Sequence, residues 1–152
     1  MKEKIEYRTK ILIPISNFID KEKLIQALHI LSKLENPSIV LFHVIEIPST
    51  TVPIDSSILD QEIKEAKKML DNVSRWLNEQ NYKSLIKVVV ARNVVEGIVE
   101  EANSGDYALT LMLKRRVKKG LKSLFHKSIS EAVIRSVRCL VIVMLAENEI
   151  KI

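Results

Sequence analysis

A chain of 152 residues with 47% apolar and 28% charged residues has globular composition, outside the disordered class, and is long enough to bury roughly 68–70% of its unfolded surface in one domain. Three glycines and four prolines leave little room for a turn-rich β-sandwich, and a single cysteine excludes an internal disulfide. The net charge of +5 permits anionic partners without identifying one.

No segment reaches the ~18 apolar residues of a membrane span, and the start MKEKIEYRTK lacks the apolar core of a signal peptide. These features and the lone thiol place the expected location in the cytoplasm. Apolar runs then alternate with helical segments. Lys10–Ile15 reads as a buried strand, and a helix follows over Lys21–Leu34 with Leu24, Ile25, Leu28 and Leu31 on one face. Ser38–Ile47 is the second strand. After a polar loop with two prolines, Leu59–Asn81 reads as a long helix, with Ile63, Ala66, Met69, Leu70, Val73, Trp76 and Leu77 as its apolar stripe. Lys87–Ala91, Tyr107–Leu113 and Cys139–Met144 are the third, fourth and fifth strands, and Val94–Ala102 and Ser128–Val137 the helices between them. Continuous rather than alternating apolar runs imply strands buried on both faces, hence a parallel sheet covered by helices. The element order gives a doubly wound α/β domain over 1–152. Cys139, inside an apolar run, reads as a buried small hydrophobe.

Positive charge is local. Between Tyr107 and Ser130 there is no Asp or Glu, while Lys114, Arg115, Arg116, Lys118, Lys119, Lys122 and Lys127 all fall there. The loop joins a strand to a helix, the position that carries binding sites in parallel α/β sheets. Three readings stay open: a solvated charge run, a contact for a polyanion (nucleic acid or an acidic membrane face), or a specific ligand site. One aromatic, Phe125, is too few for a base-stacking platform. The helix after the loop opens with Ser128-Ile129-Ser130-Glu131, an S-x-x-E capping box in which the Ser128 hydroxyl would accept from the Glu131 amide. A helix start behind a parallel strand favours anions.

No catalytic constellation emerges. Ser16, Ser128 and Ser130 lack a G-x-S-x-G turn and an evident histidine base. His29, His43 and His126 with one cysteine make no metal site. His43 reads as a packed strand residue, and Glu96, Glu100 and Glu101 as the polar face of a short helix.

The stretches ILIPIS, LFHVIEIP and above all SISEAVIRSVRCLVIVM resemble the universal stress protein family over nearly the full chain. The resemblance implies a five-stranded parallel sheet of order 3-2-1-4-5, with a switch point where the loops at Ser16 and Lys114 meet. It also implies homodimers paired through the last strand, here Leu140, Val141, Ile142, Val143 and Met144. A Pro precedes that strand's apolar run in the family; Leu140 stands there in this chain. The family's nucleotide-binding signature, G-x-x-G-x9-G-[ST], registers on Ser128, and its three glycines fall at Lys114, Val117 and Lys127. The family's nucleoside-contacting Asp falls at Ser16, its adenine-contacting valine is kept as Val44, and its glycine after the third strand falls near Arg92. Glycine serves such loops where the backbone needs φ > 0 or must touch phosphate oxygens, and Lys or Val cannot substitute for it there. The resemblance therefore implies a homodimeric regulatory or interaction module with an unnamed protein partner, without ATP as a cofactor. The alternatives are a nucleotide or other anionic small molecule at the switch point, held by Ser16, Val44, Lys114, Arg115, Arg116, Val117, Lys127 and Ser128, or a polyanion on loop 114–127. Related domains also occur fused to transporters, which allows a cytoplasmic domain excised from one.

Overall fold

The computed structural model describes residues 9–33, 37–47, 55–115, 128–148 and 150–152. In chain order its elements are β1 (Lys10–Pro14), β2 (Phe18–Ile19), α1 (Lys21–Ser32), β3 (Ser38–Glu46), α2 (Ser56–Glu79), β4 (Ser84–Ala91), α3 (Val94–Ser104), β5 (Leu109–Arg115), α4 (Ile129–Ser136), β6 (Leu140–Ala146) and β7 (Ile150–Lys151). The main sheet has the order β4-β3-β1-β5-β6, with every pairing parallel. Counting only its own strands, that is 3-2-1-4-5, as expected.

Alternation along the central strands sends side chains to opposite faces of the sheet. Ile11, Ile13, Leu41, Leu109 and Leu111 meet Leu24 and Leu28 of α1 and Leu70, Val73 and Leu77 of α2. On the other face Leu12, Phe42, Met112 and Val133 form a second core with Ile98 and Ala102 of α3. The predicted stripe of α2 faces inward: Ala66, Leu70, Val73 and Leu77 are buried, and Met69 and Trp76 pack partly against the core. Glycine matters at Gly97, where α3 approaches β3 so closely that an added Cβ would lie 2.7 Å from Val44 Cγ2. Any side chain there drives Val44 out of its place.

Boundaries move where local chemistry stops or starts an element. Helix α2 begins at Ser56 rather than Leu59, because the Asp55 carboxylate accepts from the Ser57 amide at 2.9 Å; it ends at Glu79, two residues before Asn81 turns to φ 66°. Strand β4 reaches back to Ser84, whose hydroxyl meets that of Ser74 at 2.7 Å. Strand β5 starts at Leu109, after Asp106 at φ 55°. Glu101 is more than helix surface: it accepts from the Tyr107 hydroxyl at 2.8 Å and pairs with Lys87 at 2.8 Å. Burial and that carboxylate push the Tyr107 phenol above its ordinary range. Cys139 is half-buried rather than buried, with Sγ 3.2 Å from Thr110 Oγ1.

The two-stranded antiparallel sheet β2–β7 was not expected. Phe18 pairs with Lys151 and Ile19 with Ile150, and the Ile152 amide donates to the Asn17 carbonyl at 3.0 Å. This seam is held from below by Asp20, which is fully buried. One carboxylate oxygen accepts from the Lys23 amide at 3.1 Å and caps α1. The other accepts from the Glu147 and Asn148 amides at 2.8 and 3.0 Å. Burial alone would push this carboxyl up. The amide donors of Asn148, Glu147 and Lys23, with the Lys23 charge, outweigh it and hold Asp20 below the ordinary carboxylate range.

Candidate functional site

A parallel sheet whose order reverses between neighbouring strands opens a crevice at its carboxyl end. Here that point lies between β1 and β5, and a cavity of about 570 Å³ occupies it. The volume falls in the range of small-molecule sites. Its floor is apolar: Phe42 and Val44 come from β3, Met112 and Leu113 from β5, and Val94 and Ile98 from α3. The end of β1 and the following turn give Pro14, Ile15 and Ser16, and β2 adds Phe18.

Lys114 and Arg115 end β5, and Ser128, Ile129 and Ser130 open α4. The Arg115 guanidinium stacks on the Phe18 ring at 4.7 Å, a cation–π contact that ties the β5 end to the β2–β7 seam. The turn after β1 is fixed by the Ile15 amide donating to the Phe42 carbonyl at 2.8 Å, and by His43. The His43 Nδ1 donates to the Ile15 carbonyl at 2.6 Å. A carbonyl only accepts, so the proton is on Nδ1. His43 is thus a packed strand residue that also holds the wall of the site.

The capping box at α4 is a correction. Ser128 is the N-cap residue, but its side chain makes no cap hydrogen bond. Its hydroxyl meets the Ser130 hydroxyl at 2.6 Å instead, and Glu131 pairs with Arg135 at 3.0 Å, one turn on along the helix surface. Hydroxyls of this kind bond to whatever local group their backbone brings within reach, and here that group is the Ser130 hydroxyl.

The structure thus brings Ser16, Val44, Lys114, Arg115 and Ser128 to one cavity, while Arg116, Val117 and Lys127 lie outside the described residues. Most of the basic loop, 116–127, is likewise outside them. Sequence reasoning missed Phe18, Ile98, Met112 and Ser130 as lining residues. Only Ser130 carried a local signal, two positions after the predicted cap. Among the described residues no described hydrogen bond joins a lining serine to a histidine or carboxylate, and no group of three His, Cys, Asp or Glu side chains is placed to hold a metal. Among the described residues no helix is long and apolar enough to cross a membrane.

At the far edge of the sheet lies β6. Val141 and Val143 pack inward against the α3–α4 core, and Met144 against the other core. Leu140 and Ile142 stay 75% and 40% exposed, and Leu145 is exposed as well.

The fold recurs among solved proteins. A universal stress protein from Lactobacillus plantarum is 15% identical with a TM-score of 0.71, the match covering 90% of this chain and 97% of that one. A protein of the same family from Burkholderia pseudomallei is 19% identical with a TM-score of 0.65, covering 90% and 95%. A universal stress protein from Archaeoglobus fulgidus, in complex with dAMP, is 16% identical with a TM-score of 0.61, covering 89% and 96%. No curated protein matches the chain by sequence. A sequence model of the universal stress protein family matches residues 8–144, and the chain belongs to that family.

Proposed function

We propose that this chain is a non-catalytic regulatory module that pairs with a second copy along β6 and holds a small ligand in its switch-point cavity, without the means to grip the triphosphate of ATP. The observation that carries the reading is the cavity of about 570 Å³, built by β1, β3, β5, α3 and the start of α4. The Archaeoglobus relative, whose structure is in complex with dAMP, supports a ligand in a fold of this kind.

The case against ATP rests on chemistry. A polyphosphate is held by bare backbone amides in a glycine-rich loop, and this chain has Lys114, Val117 and Lys127 where the family's signature has glycine. Exposed lysines do not replace such a cradle. Each contributes about 1 kcal/mol or less and is screened by salt, whereas micromolar affinity takes about 8 kcal/mol. Ser16, where the family's pattern has Asp, supplies a neutral hydroxyl in place of a carboxylate.

Thermal denaturation with millimolar MgATP tests this. At 300 mM salt the midpoint is expected to stay within about 1 °C of the ligand-free value, since a site that is not occupied adds nothing by mass action. A salt-insensitive rise of several degrees would contradict the reading. The proposed homodimer is supported by the apolar edge of β6, because an exposed apolar edge strand calls for a partner.

A further inference from the structure

A short span of the cavity wall is tied to the far end of the chain. Between Ile15 and Ile19 the backbone is anchored at both ends: the Ile15 amide donates to the Phe42 carbonyl at 2.8 Å, and Ile19 is buried in the core. Of the residues between these anchors, Ser16 and Asn17 are exposed and Phe18 is half-buried, and Ser16 and Phe18 line the cavity. Strand β2, which carries Phe18, pairs with β7 in the two-stranded sheet, and the Ile152 amide donates to the Asn17 carbonyl at 3.0 Å. A two-stranded ribbon is marginal by itself and needs outside support. That support lies at the turn before β7. There the Glu147 and Asn148 amides donate to the Asp20 carboxylate, the Asn148 side chain donates to Glu22 at 3.1 Å, and Lys23 pairs with Glu147 at 3.5 Å.

We propose that the C-terminal tail controls access to the cavity: docked, it holds Ser16, Asn17 and Phe18 as a wall, and released, it opens that side of the crevice. The inference rests on the cavity being a ligand site and adds how entry to it is governed. The tail's apolar grip is small, since Ile150 is 51% exposed and Ile152 packs only partly against the core. Segments with few buried apolar contacts open locally at a fraction of the global stability. Phe18 carries the effect inward, because its ring lies 4.7 Å from the Arg115 guanidinium at the end of β5, which also lines the cavity. By linkage, a ligand seated against Phe18 also favours the docked tail.

Thiol labelling of the full chain, with Cys139 replaced by Ser, tests this without a ligand. One thiol is introduced by Met112→Cys on the cavity floor, and in a separate protein by Ala102→Cys, buried in the same core but off the cavity lining. Each is compared with the same protein carrying Ile150→Pro and Ile152→Pro, which remove two tail amides, among them the donor to Asn17. Dithiobisnitrobenzoate is expected to label the thiol at position 112 roughly five- to tenfold faster in the proline variant, the gain in open population from losing one hydrogen bond. The thiol at position 102 should react at the same rate with and without the prolines. Unchanged or slower labelling at position 112 would overturn the proposal. Equal acceleration at both positions would overturn it too, since it reports general loosening of the domain. The rates are measured on the unliganded chain, so failure here is distinct from failure of the ligand-site reading, which rests on binding.

Discussion

Replacing Asp20 by Ala is expected to cost about 3 kcal/mol, and to lower the thermal midpoint by roughly 6–12 °C for a chain of this size. The figure follows from what the carboxylate holds. It caps α1 through the Lys23 amide, a role worth about 1 kcal/mol on its own. It also accepts from the Glu147 and Asn148 amides, 127 and 128 residues away, and these would be left without that acceptor at about 1 kcal/mol or more each. Because the same side chain anchors the tail that pairs with β2, amide hydrogen exchange at 147, 148 and 150–152 should accelerate more than exchange in β1 or β3. The effect depends on pH in a fixed direction. The folded-state value lies below the ordinary 3.8, so the charged carboxylate adds stability at pH values above about 3.8, and that share is lost as pH falls through the lower folded value. The Asp20→Ala variant should lack this acid-side loss. Equal stability of the two proteins at pH 7 would show that the latch contributes nothing.

The second large effect concerns assembly. Replacing Ile142 with Lys should weaken the proposed dimer by roughly 30- to 1000-fold, measured by sedimentation or light scattering across a dilution series. Losing the burial of one isoleucine costs about 1–2 kcal/mol, and a two-fold interface contains every substitution twice. Ile142 is the informative position because it is 40% exposed at the edge, whereas Val141 packs into the core and a charge there would test folding instead. Leu140→Lys, at the most exposed position of β6, should act in the same direction with no loss of thermal stability in the monomer. A wild-type chain that sediments as a monomer at tens of micromolar would contradict the dimer.

The sheet was readable because strands such as Ile11–Ile13 and Ile39–Phe42 are buried on both faces and therefore appear as unbroken apolar runs. The edge strand β4 was read short, since Leu85 and Ile86 are exposed and its start is held by the Ser74–Ser84 contact, which no periodicity encodes. The β2–β7 seam was not readable at all: two residues pair with two others more than 130 positions away, and no pattern of that length is distinctive. Asp20 stood at a helix start as a cap residue should, yet its link to Glu147 and Asn148 exists only in the folded chain. Local rules also failed at Ser128, where the nearby Ser130 hydroxyl and the Arg135 cation displaced the expected capping box. For the site, the resemblance located the crevice through Ser16, Val44, Lys114 and Ser128. The apolar floor came from residues that look like ordinary core until the sheet and α3 leave space between them.

Native mass spectrometry of the purified chain with a tenfold excess of MgATP tests the central claim most directly, since one spectrum reports both assembly and nucleotide. The expected spectrum is dominated by twice the 17.4 kDa chain mass, with no stoichiometric ATP adduct at 200 mM ammonium acetate. A monomer, or a dimer carrying one ATP per chain, would contradict it.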